Sequence, residues 1–136
     1  MNEFANSVVT WLELKVTGHF PLTLKAERSA SATPFHDGSY SFDIRLTADG
    51  LDIHTCKSLH PSEITDFVRQ FKALSESSTP VEISLRSKVT EDIKISVNGT
   101  QKGWRLVLSV CHGNSSMWRT EFSMGSPGRK LDISAG

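Results

Sequence analysis

The sequence predicts an α+β domain. The expected architecture is a curved, mainly antiparallel β-sheet of about eight strands, with one α-helix, at about residues 61–74, inserted between two four-strand halves. Three observations predict it. Apolar and polar residues alternate in eight separate runs, the period of a strand with one buried face. One stretch alone carries the three-and-four spacing of an amphipathic helix. Short, turn-like links join most successive runs, and short links require antiparallel pairing. One helix is too small to cover eight strands, so the sheet must curl around it or split into two layers. A curled sheet with the helix on its concave face is the expectation. At 136 residues the chain suits a single domain spanning 1–136, since domains cluster near ~100–150 residues.

Leu12, Leu14 and Val16 alternate with Glu13, Lys15 and Thr17, and Phe20, Leu22 and Leu24 with Pro21, Thr23 and Lys25. Gly18-His19 lies between these two runs. Pro21 cannot donate to a ladder, which predicts that the second run lies at a sheet edge or begins irregularly. Residues 27–39 are small and polar without a period, the pattern of a long loop. Tyr40, Phe42, Ile44, Leu46 and Ala48 share the apolar face of the clearest strand. Asp49-Gly50 supplies a tight hairpin turn, and Leu51, Ile53 and Thr55 return on the same face. Pro61 fits the first position of a helix, with Leu59 and Ile64 at staple positions around its cap. Ile64, Phe67, Val68, Phe71 and Leu74 form its apolar stripe. Glu63 and Asp66 at its start and Arg69 and Lys72 at its end suit the helix dipole.

Alternation resumes at Val81–Leu85 and Ile93–Val97. Asn98-Gly99 opens another turn, followed by Trp104–Val110 and Trp118–Met124. Leu131-Asp-Ile133 reads as a short terminal piece.

The chain carries 15 Lys and Arg against 15 Asp and Glu, a net charge of zero. This points away from a nucleic-acid binder, which shows a basic excess and exposed stacking aromatics. The balance conceals a partition. Residues 1–68 hold nine acidic and five basic groups, and residues 69–136 hold six acidic and ten basic. The apolar run from Val8 to Val16 is broken by Glu13 and Lys15 and lacks a basic segment before it, unlike a signal peptide. Two cysteines, Cys56 and Cys111, give no disulfide framework. These features predict a cytoplasmic chain with free thiols and no membrane association.

The run Tyr40-Ser-Phe-Asp-Ile-Arg-Leu-Thr-Ala-Asp-Gly-Leu-Asp-Ile, the helix with Glu63-Ile and Phe67, Phe71 and Leu74, the strand Val81-Glu-Ile-Ser-Leu and the hairpin around Asn98-Gly99 together resemble a group of small bacterial β-rich domains. Some of these domains are immunity proteins of the wall-associated toxin type. Tyr40 and Glu82 stand nearest to the Trp and Glu that such domains often carry. The resemblance spans residues 40–124 and implies a protein partner, a cognate toxin, neutralised by occlusion. It implies no catalytic residues.

Asp52, His54 and Cys56 share one strand face with ~6.6–7 Å between neighbours. A Cys nucleophile needs a base within ~2.6–3.2 Å, so a Cys/His-dependent hydrolase requires these side chains to lean together. An ordinary polar outer face is the competing reading. A structural zinc site would want a fourth ligand. His36-Asp37-Gly38 offers a His beside an Asp in the long loop, but Asp-Gly is also ordinary turn chemistry. No phosphate loop, nucleophile elbow or dinucleotide fingerprint occurs.

The expected function is therefore non-enzymatic and cofactor-free: a protein-binding module of the immunity type. The candidate partner surface is His36, Asp37, Asp43, Arg45, Asp52 and His54, because a long loop on a rigid sheet commonly carries binding. Self-association through a sheet edge near Phe20–Leu24 is a further expectation. The alternative is a small-molecule binder using an apolar cleft between sheet and helix.

Overall fold

The computed structural model describes residues 9–29, 33–76, 81–86, 93–100, 102–111 and 119–136. The strands are β1 (Trp11–Gly18), β2 (Leu22–Arg28), β3 (Tyr40–Ala48), β4 (Leu51–Leu59), β5 (Val81–Arg86), β6 (Ile93–Gly99), β7 (Trp104–Cys111), β8 (Arg119–Gly125) and β9 (Arg129–Ala135). The helix α1 (Pro61–Glu76) separates β4 from β5. Every pairing is antiparallel. The expected Gly113–Ser116 loop and Trp118 lie outside the described residues. No helix among the described residues is long and apolar enough to cross a membrane.

The pattern predicts one curved sheet, and the chain builds two. A five-stranded sheet has the order β4-β3-β2-β1-β9 and a four-stranded sheet the order β5-β6-β7-β8. The cause is the last strand. Leu131–Ile133 is the centre of a seven-residue strand that leaves β8 and pairs along the whole of β1, from Leu12↔Ala135 to Gly18↔Arg129. Each sheet hides one face. Leu12, Leu14, Val16, Leu22, Leu24, Phe42, Ile44 and Leu46 from the first share one buried core with Ile83, Leu85, Ile95, Val97, Leu106 and Leu108 from the second.

β2 is paired on both sides, with β1 and with β3, so the expected edge at Phe20–Leu24 does not exist. Pro21 is accommodated because it precedes the first strand residue, Leu22, and no ladder N–H is required of it.

α1 is nucleated as its sequence suggests. The His60 carbonyl accepts bonds from the N–H groups of Glu63 (3.0 Å) and Ile64 (3.2 Å), which makes His60 the cap and Leu59 and Ile64 the staple pair. Both are buried. The stripe Ile64, Phe67, Val68 and Leu74 is buried and Phe71 half-buried. The helix runs on to Glu76, so Arg69 and Lys72 fall short of its last turn, which holds no basic residue. Sixteen residues make a helix of about 24 Å, and five strands span about 19 Å. Starting beside β4, α1 therefore crosses the width of the first sheet, and it packs against β9 and β5.

A corner holds the two sheets together where β8 turns into β9. Gly18 has φ of 108°, and a Cβ there would collide with the Gly128 carbonyl oxygen. Arg129 donates to the carbonyls of His19 (2.9 Å) and Gly125 (3.2 Å) and lies 5.7 Å from the ring centre of Phe20. Phe20 is exposed and sits in the left-handed region at φ 52°, a conformation that costs a side-chain-bearing residue on the order of 1–3 kcal/mol.

Candidate functional site

Four of the six candidate residues lie on one exposed face of the β3–β4 hairpin. Period two sends Asp43 and Arg45 outward from β3 and Asp52 and His54 outward from β4. Arg45 and Asp52 form a two-pronged pair, Nε to Oδ1 at 3.0 Å and Nη2 to Oδ2 at 2.7 Å. The guanidinium holds the Asp52 carboxyl below its ordinary value and is itself raised. His54 stands directly opposite Arg45, and Asp43 opposite Cys56. Further across the sheet Asp43 faces Glu27 and Arg45 faces Lys25, whose ammonium is bonded to Glu27 at 2.9 Å. The face is a mixed-charge grid that solvates itself.

His36 and Asp37 lie at the other end of the hairpin. The Asp37 carboxylate accepts from the Ser39 hydroxyl (2.6 Å) and the Ser39 N–H (3.0 Å). These two bonds hold its carboxyl below the ordinary range. The His60 Nε2 lies 3.5 Å from its other oxygen. Asp37 thereby ties the loop to the helix cap, while His36 points to solvent. The loop and the Arg45–Asp52 pair are separated by at least five residues of strand, about 17 Å, so the six residues do not form one patch.

Asp52, His54 and Cys56 share a face but do not converge. Asp52 is committed to Arg45, and the Cys56 thiol lies 2.9 Å from the Ser41 hydroxyl. Cys111 is buried, and neither cysteine is in a disulfide. His112 lies outside the described residues. Among the described residues, no three His, Cys, Asp or Glu side chains group as metal ligands.

A recess of about 440 Å³ opens where α1, β9 and the β6–β7 turn meet. Phe71 and Leu74 come from the second half of the helix, and Leu131 and Ile133 from the core face of β9. Trp104 follows a turn closed by two bonds, Thr100 N–H to the Gly103 carbonyl (2.9 Å) and Gly103 N–H to the Thr100 carbonyl (3.2 Å). Gly99 opens that turn at φ 126°, where a Cβ would strike the Gly103 carbonyl oxygen. Lys72, Arg129 and Lys130 bring positive charge to the rim, and Asp132 is its one carboxylate among the described residues.

The sequence raises an apolar cleft between sheet and helix as an alternative, but it marks Phe71, Leu74, Trp104, Leu131 and Ile133 only as apolar faces and does not say that these five line it. The alternation of Leu131 and Ile133 with Lys130 and Asp132 is the local signal that this tail is a strand. Its pairing with β1, which creates the recess, joins residues more than one hundred positions apart, and no local pattern encodes it. Comparison with known proteins finds no matching family model, no matching curated protein and no matching solved structure.

Proposed function

We propose that the chain is a non-catalytic binding module, and that it receives a protein partner in the recess between α1, β9 and the β6–β7 turn. The observation that carries this reading is the composition of the recess: two aromatic and three aliphatic side chains under a rim of three cations and one carboxylate. Interfaces combine such an apolar centre with a polar rim. The separate engagement of Asp52 and Cys56 supports binding over catalysis. The resemblance to immunity-type domains supplies the kind of partner, a toxin occluded in the bacterial cytoplasm. The hairpin face, with Asp43, Arg45, Asp52 and His54, is the competing surface; its mixed charges suit setting register more than affinity.

A small ligand in the same recess is the second reading. The volume favours it, since 440 Å³ falls within the ~300–1,000 Å³ of small-molecule sites. Photo-crosslinking in the native host separates these readings. One variant carries the crosslinker at Lys130 and another at Asp43, and any trapped protein is purified and rebound to the native chain. The expected result is one protein trapped from Lys130, with Trp104→Ala weakening the reconstituted pair at least tenfold. Trapping from Asp43 alone moves the interface to the hairpin. Retention of a small molecule with no protein adduct establishes the second reading.

A further inference from the structure

Five consecutive residues of β9, Arg129 to Ile133, line the recess. Side chains of a strand alternate between faces, so an unbroken run along a wall means that the strand is seen edge-on. The ladder fixes which backbone groups lie on that edge. Trp11 and Gly136 exchange both of their bonds, each at 3.2 Å, and the His19 N–H donates to the Gly128 carbonyl at 3.3 Å. Counting in twos between these fixed points, Lys130, Asp132 and Ser134 spend their N–H and C=O groups on β1. Leu131 and Ile133 turn theirs the other way. β9 is the last strand of its sheet, and no backbone bond from a described residue reaches that side of Leu131 or Ile133.

Resting on the reading of the recess as the partner site, we propose that it captures an extended peptide segment of the partner, which adds to the sheet as a sixth strand beside β9. Two donors and two acceptors at i and i+2 spacing are what a strand recognises. The geometry also dictates side chains. Directly paired residues share a face, so the two residues opposite Leu131 and Ile133 point inward, toward Phe71 and Trp104, and must be apolar. The residue between them points to the outer face, beside Lys130 and Asp132. Lys130 points to the outer face and has no carboxylate partner among the described residues, so the residue opposite it is acidic. The occupant carries apolar–x–apolar with an acidic residue at the end beside Lys130, and a probe with Glu at both ends serves either strand direction.

The test uses the full chain labelled with nitrogen-15 and three probes at millimolar concentration. The first is the blocked peptide acetyl-Glu-Leu-Thr-Leu-Glu-amide. The second is the same peptide methylated on both leucine nitrogens, which removes the ladder donors and keeps the side chains. The third is octanoate. The expected result is a shift of the Leu131 and Ile133 amides and of the Trp104 indole by the first peptide, with at least tenfold weaker binding of the methylated form. Equal binding of both peptides would overturn strand addition while leaving the recess as a peptide site. Binding of octanoate without the peptide would overturn the proposal in favour of a small ligand. No shift at the recess with any probe would overturn both the proposal and the reading beneath it.

Discussion

Phe67 stands where helix and sheets share their core. It is 1% exposed and lies at the middle of the buried stripe of α1. Replacing it with alanine leaves a void that the surrounding strands can only partly close. Phe67→Ala should cost about 3–5 kcal/mol in urea denaturation. Phe20→Ala, at a side chain 69% exposed, should cost far less. Two carboxylates among the described residues contribute to the acid behaviour. Asp37, held low by its bonds from Ser39, and Asp52, held low by Arg45, both bind protons less readily in the folded chain than the ordinary 3.8 allows. Their stabilisation is complete above that value and disappears as the pH falls below it and through the depressed folded values. A chain carrying Asp37→Asn and Asp52→Asn should lose less stability on acidification than the native chain. Parallel acid profiles in the two proteins would show that neither carboxylate is linked to folding.

Elements were legible in proportion to how local their determinants are. The β3–β4 hairpin follows directly from the alternation around Asp49-Gly50, and its register, Ala48↔Leu51 onward, is the one a two-residue turn imposes. Helix α1 was legible through Pro61, the Leu59–Ile64 staple and the 64–74 stripe, and its stop through the polar sequence from Ser75 to Pro80, into which the helix runs two residues past the expected 74. β9 was the element least readable. Its seven residues form a strand only because β1 offers an edge to them, and the split into two sheets depends on it. A chain ending at Ser126 should therefore lose cooperative unfolding and near-ultraviolet circular dichroism, since Leu131 and Ile133 leave the core and β1 is uncovered. A folded truncated chain would place the stability elsewhere. Gly18→Ala tests the same junction more gently. The positive φ and the Gly128 carbonyl predict a loss on the order of 1–3 kcal/mol, read as a lowered thermal midpoint.

At the scale of the whole molecule, the charge partition acquires a location. The first half, rich in carboxylates, supplies β1 to β4 and with them the outer face of Glu13, Glu27, Asp43 and Asp52. The three cations around the recess, Lys72, Arg129 and Lys130, all come from the basic second half. The candidate hairpin residues were legible because exposed charges and loops can be read one at a time. A cleft between sheet and helix could be raised from the apolar helix stripe, but its walls could not be named, because they meet only once α1, β9 and the β6–β7 turn have been brought together. Strand addition in the recess requires an open edge on β9, and amide hydrogen exchange in the free chain measures that edge directly. Exchange should alternate along β9: slow at Lys130, Asp132 and Ser134, whose N–H groups bond β1, and fast at Leu131 and Ile133 between them. Uniformly slow exchange from Lys130 to Ser134 would mean that the edge is already covered and that β9 has no room for a sixth strand.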